Sequence, residues 1–394
     1  MLREIAISVF LFFFRMIFSI FKFLPQQKKT VFVSSFGDNI YHVAQATNKL
    51  SDHQLIVLKD KRCRMDFSTI DNVKTLSFQL THLVDYVRSI YHLATSKVIF
   101  IDNYFGFLSV TKFNENVQCI QLWHAAGAIK QFGLMDPSNA TRTPRANKRF
   151  QQVYDRFSYV VVGSEKMSRI FRQSFNLSES QILRTGIPRT DFFFDKQALQ
   201  QAQYHIRKLF PMIDGKKVIL YAPTFRNNEL SNINLQLDIT KLRAELGEEY
   251  ILLLRLHPAI VGTYENIYSD FVIDVSNYEN INHLLVLADL LITDYSSVPF
   301  EFSLLEKPMI FFTYDLEEYT KKQGFWEEYT TNLPGPIALS TEDIISIIKS
   351  NQFDLNLIKE YTKQWNQYSR GNSSENIVHY IYDAQPVKQA KAYN

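Results

Sequence analysis

Polar side chains able to handle phosphate cluster in this chain where apolar runs stop. The densest case is Leu290–Glu301, LLITDYSSVPFE. Leu290, Leu291 and Ile292 have strand character. Thr293-Asp294-Tyr295-Ser296-Ser297 follow, and a helical apolar pattern then starts at Phe300. A strand that delivers a turn opening a helix presents unpaired N–H groups at the positive end of the helix dipole. With hydroxyls from Thr293, Ser296 and Ser297, such a turn can cradle a phosphate without a glycine-rich loop; the alternative is that Asp294 and the serines only cap the helix. Three further apolar runs end the same way: VILYAPTFR (Val218–Arg226) in Thr224 and Arg226, LLLRLHP (Leu252–Pro258) in His257, and CIQLWHAAGAIK (Cys119–Lys130) in His124, with Lys130 beyond it. In open α/β sheets ligands sit at the carboxyl ends of strands, so two imidazoles, a guanidinium and a hydroxyl cluster at equivalent places read as one active site.

Strands must alternate with helices to place those ends together, and the pattern does alternate. The spacing predicts strands at Thr30–Ser34, Gln54–Leu58, Lys97–Asp102, Val117–Leu122 and Tyr159–Gly163. A second set covers Lys217–Tyr221, Tyr250–Arg255, Phe271–Asp274, Leu290–Thr293 and Met309–Thr313, with helical stretches between. This alternation implies parallel sheets covered on both faces. Two sets of five imply two doubly wound, Rossmann-like α/β domains, over residues 28–195 and 205–350, with the boundary in the Gln-rich region Asp195–Pro211. Residues 355–385 read as a helical segment interrupted at Ser369–Ser374.

Composition sets the outer bounds. At 394 residues, 46% hydrophobic and 21% charged, the chain has length for two domains and is not of disordered type. A net charge of +3 does not call for nucleic acid. Two cysteines, Cys63 and Cys119, suit neither a disulfide framework nor a zinc site and read as reduced thiols. No H-E-x-x-H, Asp-x-Asp pair or Walker pattern is present, so no metal site or cofactor is expected; a Mg²⁺ ion carried in by the substrate is compatible with these residues.

Residues 1–25 stand apart. In Leu2–Leu24, Arg15 and Lys22 interrupt the apolar run and no small-residue cleavage site follows, against a signal peptide. At about 100° per residue, Glu4, Ser8, Arg15, Ser19 and Lys22 share one narrow face. That pattern predicts an amphipathic helix lying in an anionic membrane surface. The alternatives are a helix packed on this protein's own core, or one that spans with Arg15 snorkelling. Basic clusters at Lys59–Arg64 and Arg142–Arg149 are either solvated surface or contacts for anionic lipid or a pyrophosphate-linked lipid.

LWHAAGAIKQFG (Leu122–Gly133), VVVGSEKMSRIF (Val160–Phe171), TGIPRTD (Thr185–Asp191), LYAPTFR, RLHPAI and the run Thr293–Tyr319 together resemble the CDP-glycerol glycerophosphotransferase family of wall teichoic acid synthesis, from about residue 30 to 380. The resemblance implies a glycosyltransferase-B-like fold, two domains facing a cleft, with the last helix crossing back to the first domain. It implies a reaction in which a sugar hydroxyl attacks the β-phosphorus of CDP-glycerol and CMP leaves. The acceptor would be a disaccharide on undecaprenyl diphosphate, and the enzyme a peripheral protein of the cytoplasmic face of the cell membrane, with other teichoic acid enzymes as neighbours.

His124 is then the candidate general base, since imidazole titrates near working pH. Gly127, in the small run Ala125-Ala126-Gly127, would let substrate approach the backbone. His257 would donate to a phosphate oxygen, Arg226 would fork the diphosphate, and Glu301 would take ribose hydroxyls or stand as a buried structural carboxylate. Asp294 would cap or bind a ribose or glycerol hydroxyl. Lys130 and Arg189 are further cations, and Asp102-Asn103 would hydrogen-bond a sugar. Ala-Ala-Gly after His124, and a chain with no additional N-terminal domain, point to the priming branch of the family. The polymerase branch, an ordinary nucleotide-sugar glycosyltransferase and a non-enzymatic membrane scaffold are the competing readings.

Overall fold

The structure, a computed structural model, describes residues 2–224, 226, 235–256 and 268–383. They fall into two compact units. One comprises Met1–Ala126, Gln131–Asp191 and Gln367–Asn394; the other comprises Gly127–Lys130 and Phe192–Asn366.

The first unit opens with helix α1 (Leu2–Phe21). It continues through β1 (Lys29–Ser34), α2 (Asp38–Leu50), β2 (Gln54–Lys59), β3 (Val73–Ser77), α3 (Leu83–Ala94), β4 (Val98–Ile101), β5 (Gln118–Gln121), α4 (Pro144–Tyr154), β6 (Tyr159–Val161), α5 (Glu165–Phe175) and β7 (Ile182–Leu183). Its seven strands order as β3-β2-β1-β4-β5-β6-β7. All pairs are parallel, with Thr30 opposite Leu55 on one side and Val98 on the other. The central strands are buried on both faces, which is why Val31–Val33, Leu55–Leu58 and Val98–Ile101 read as unbroken apolar runs. The strand order reverses between β1 and β4, placing a crevice at their carboxyl ends.

The second unit repeats the plan. It contains α6 (Lys196–Leu209), β8 (Lys217–Ala222), α7 (Ile239–Leu246), β9 (Tyr250–Leu254), β10 (Val272–Asp274), α8 (Ile281–Leu287), β11 (Leu290–Thr293), α9 (Val298–Phe302), β12 (Met309–Phe312), α10 (Leu316–Gln323), β13 (Ile337–Ala338), α11 (Thr341–Ser350) and α12 (Leu355–Trp365). The sheet order is β10-β9-β8-β11-β12-β13, again parallel, with its reversal between β8 and β11. One apolar cluster, with Leu220, Leu253 and Leu291, lies on one face of this sheet. A second, with Ile219, Leu252 and Ile292, lies on the other, as strand alternation dictates. The chain then returns to the first unit as α13 (Ser373–Tyr382), which packs on α2. Asp191 accepts both the Ser373 and Ser374 N–H groups at 2.8 Å, holding the start of that helix.

Thus the two parallel sheets expected from the sequence are present. Three strands were not foreseen: β3, which is short and largely polar, and the two-residue edges β7 and β13. Helix α1 also differs from the expectation of one polar and one lipid-facing side. Leu11, Phe14 and Phe18 are buried against its own unit, whereas Leu2, Ile5, Val9, Phe12, Phe13, Met16 and Ile20 are exposed. Glu4 on the polar side pairs with Arg149 at 3.1 Å.

Candidate functional site

Among the described residues of the second unit, Thr224, Arg226, Thr293, Asp294, Ser296 and Ser297 lie at the β8/β11 reversal, and several of them are held by partners within the protein. Arg226 follows β8. Its Nε donates to Asp315 Oδ2 at 2.7 Å, and one terminal nitrogen donates to both Asp315 Oδ1 and Asp294 Oδ2 at 3.0 Å. The guanidinium fork expected to hold a diphosphate is therefore engaged by two carboxylates of the protein, and it lies over the rings of Tyr319, Tyr295 and Tyr314. Asp294 caps no helix. It is buried, and its other oxygen accepts the Thr224 N–H at 2.7 Å. Burial pushes its carboxyl up, against the opposing pull of Arg226 and that N–H. Thr293 is fully buried and donates to the Ala222 carbonyl at 2.7 Å, so it pins β11 to β8 and presents no hydroxyl.

Ser296 and Ser297 remain near the surface at the start of α9; Ser296 Oγ accepts the Val298 N–H, and Ser297 makes no side-chain cap. Glu301 is 3% exposed, and its charge is felt by the buried Tyr361. This placement matches the buried-carboxylate alternative. Gly127 is small for a packing reason: a Cβ there would lie 2.7 Å from three atoms of the Phe300 ring. Ala125 and Ala126 are buried as well, so this run does not expose its backbone to a substrate.

Lys130 belongs to the same unit. Its ammonium lies 5.1 Å from the Tyr319 ring centroid, and burial lowers it to about 8 although Asp294 pulls the other way. Both carboxylates nearby are committed to Arg226. Lys130 is thus the cation of this cluster whose charge no carboxylate hydrogen bond takes up among the described residues. Asp315, Tyr295, Tyr319 and Tyr329 escaped the sequence reading. Tyr295 donates to Asp315 at 3.1 Å and Tyr329 to the Asp294 carbonyl at 2.7 Å. Asp315 was findable by the rule that found Arg226, since it closely follows the end of β12. His257 lies outside the described residues.

In the first unit, His124 follows β5. Its ring stacks on Phe36 at 4.2 Å and on Trp123 at 4.3 Å. Burial lowers the imidazole to about 4, against a hydrogen bond to the Asp102 backbone, so it is neutral at neutral pH. Nδ1 is buried and has no hydrogen-bond partner among the described residues. Arg189 donates to the His124 carbonyl at 3.1 Å and lies 3.8 Å from Asp38. Asp102 does not face a sugar. Its carboxylate accepts the N–H groups of Ser35, Phe36 and Gly37 at 2.8–2.9 Å, filling the turn after β1 that an anionic ligand would otherwise occupy. It thereby also holds Phe36 against His124. Among the described residues no group of three or more His, Cys, Asp and Glu is placed to hold a metal ion.

Two doubly wound parallel sheets, each with ionisable groups at its strand ends, define an α/β protein of the kind whose ligands bind at the carboxyl ends of the strands. Comparison with known proteins gives the family. Residues 16–383 match the model of the CDP-Glycerol:Poly(glycerophosphate) glycerophosphotransferase family, to which this chain belongs; it is an enzyme of that transferase class. Teichoic acid glycerol-phosphate primase of Bacillus subtilis is 37% identical over 96% of this chain and 98% of its own length. Teichoic acid poly(ribitol-phosphate) polymerase of Bacillus spizizenii is 38% identical over 74% of this chain and 47% of its own length. The wall teichoic acid polymerase TagF superposes with a TM-score of 0.79 at 24% identity, covering 96% of this chain and 95% of that one, a likeness of fold.

Proposed function

We propose that this chain is a teichoic acid glycerol-phosphate primase. It transfers one sn-glycerol 3-phosphate from CDP-glycerol to N-acetylmannosaminyl-N-acetylglucosaminyl-diphospho-undecaprenol and releases CMP. The observation that carries this reading is the end-to-end match to the B. subtilis primase, 37% identical across 96% of this chain. On this reading the two units are the acceptor-binding and donor-binding halves of a glycosyltransferase-B-like enzyme. An acceptor hydroxyl bonds to the β-phosphorus of the donor, the bond from that phosphorus to the oxygen of CMP breaks, and His124 takes the hydroxyl proton. A half-buried, neutral imidazole whose Nδ1 has no hydrogen-bond partner among the described residues supports that role.

On the donor side, Asp294 and Asp315 are both hydrogen-bonded to Arg226, whereas no carboxylate hydrogen bond takes up the Lys130 ammonium among the described residues. Lys130, the hydroxyls of Ser296 and Ser297, and His257 are then the groups that meet the donor phosphates. Arg226 with Asp294 and Asp315 shapes the site around them. Glu301, Asp294 and Gly127 act as supports of that wall. A Mg²⁺ ion arriving with CDP-glycerol is compatible with this set. The exposed apolar side of α1 supports peripheral attachment to an anionic membrane on its cytoplasmic face, alongside other teichoic acid enzymes.

The match to a ribitol-phosphate polymerase over 74% of this chain favours a second reading, repeated addition of polyol phosphate. Product mass separates the two. Purified protein, CDP-glycerol and a soluble lipid-diphosphate disaccharide analogue should yield one added glycerol phosphate and CMP, and nothing with His124→Ala. A ladder of masses would make the enzyme a polymerase, and transfer only from CDP-ribitol or a UDP-sugar would overturn the donor.

A further inference from the structure

The residue before His124 has a backbone that tryptophan does not adopt unaided. Trp123 sits at φ 62°, in the left-handed region, where a bulky L-residue costs on the order of 1–2 kcal/mol. Something must hold it there. Asn39, in the first turn of α2, is 1% exposed and touches no solvent. Its amide nitrogen donates to the carbonyls of Leu122 at 3.3 Å and Trp123 at 2.9 Å. Its amide oxygen accepts the Arg189 N–H at 2.9 Å, and the Arg189 side chain donates to the His124 carbonyl at 3.1 Å. Three successive carbonyls, 122 to 124, thus receive side-chain donors that converge through one buried asparagine. From below, the Trp123 N–H is taken by Gln121 Oε1 at 2.9 Å. Every hydrogen-bonding atom of the Asn39 side chain has a partner in this clamp.

We propose that Asn39 is a positioning residue for the transfer reaction: by clamping the left-handed turn at Trp123 it aims the His124 ring. The proposal rests on the reading of His124 as the base. Asn39 is buried and meets no substrate, so its effect falls on the chemical step. A residue that adopts positive φ freely, glycine, makes the clamp unnecessary.

The test is a double-mutant cycle of Asn39→Ala and Trp123→Gly in the full chain, followed by steady-state transfer from CDP-glycerol, by thermal unfolding and by NMR titration of the His124 imidazole, assigned against His124→Gln. Asn39→Ala should lower kcat about a hundredfold, the scale of a misplaced catalytic group, with KM for CDP-glycerol unchanged. It should also move the His124 titration up toward the free imidazole range as the ring leaves its stack. In the Trp123→Gly background the same substitution should cost less than about tenfold, the signature of coupled sites. Equal losses of kcat in both backgrounds, or no loss in either, would overturn the proposal. If Asn39→Ala does not fold, Asn39→Ser enters the same cycle. Full activity of His124→Gln would instead remove the base reading, while the coupling between Asn39 and Trp123 in the imidazole titration would still show whether the clamp aims the ring.

Discussion

An imidazole lowered to about 4 by burial is neutral across the physiological range, and two consequences follow from that one shift. The base form is already populated at mildly acid pH, so the acid limb of kcat/KM should fall through about pH 4–5 and not near the ordinary 6.5 of histidine. The same group bears on stability. Between pH 6.5 and about 4 the unfolded chain binds the proton and the folded chain does not, so stability falls as pH drops through that window. His124→Gln removes this contribution, and a stability difference from the wild type that is flat with pH there would refute the shift. Arg226 shows how a residue recognised by type can have partners that its own strand end does not reveal. A strand-end arginine in a phosphate site suggests a ligand, but the pattern of one strand end cannot reveal that carboxylates from two neighbouring strand ends, Asp294 and Asp315, reach it first. Arg226→Ala should therefore act on folding: an unpaired buried Asp294 costs about 3–5 kcal/mol, and Asp294→Asn in the same chain should recover part of it. A rise in KM for CDP-glycerol with an unchanged melting temperature would return Arg226 to the diphosphate.

Helix α1 carries the same lesson at the scale of an element. The polar stripe through Glu4, Ser8, Arg15, Ser19 and Lys22 was legible because polarity alternates with the helical period. How the remaining arc divides between protein and surroundings was not, because phenylalanine against a core and phenylalanine against lipid are the same letter. The structure divides it: Phe14 is 2% exposed and stacks on Phe107 at 5.0 Å, whereas Phe12 and Phe13 are each more than half exposed. Phe14→Ala should lower stability by about 3–5 kcal/mol. Serine at Phe12, Phe13 and Met16 should leave the melting temperature in place and weaken binding to anionic vesicles in a flotation assay. Equal melting temperatures for both sets would mean that α1 is not docked. Strands read well where burial on both faces makes continuous apolar runs, and poorly at sheet edges such as β3, where Lys74 and Thr75 are exposed. Helices α4 and α11 went unread, although chemistry that the apolar pattern ignores marks their starts: Thr143 capping ahead of Pro144, and the reciprocal Ser340–Asp343 box.

For the whole molecule, sequence order and energetic membership part company at residue 366. The helix α12 is followed closely by α13, yet they belong to different units. Local periodicity finds both helices and is silent on which core each serves, because membership is decided by long-range contacts. Those contacts are specific: Ile377 is fully buried, Tyr382 shares a 2.6 Å hydrogen bond with Thr30 of β1, and Gly186 has no room for a Cβ beneath Ser373 and Tyr368. Ile344, on α11, is equally buried but lies in the second unit. Each truncation to alanine removes a comparable apolar volume and should cost about 2–5 kcal/mol. Two units with separate cores need not melt as one. In calorimetry, Ile377→Ala should lower the transition that His124→Gln also perturbs, although more than 250 residues separate these positions in sequence. Ile344→Ala should lower the transition perturbed by Arg226→Ala. A C-terminal helix whose loss moved only the second of these would belong with its sequence neighbours after all, and α13 could then not be the element that closes the first unit.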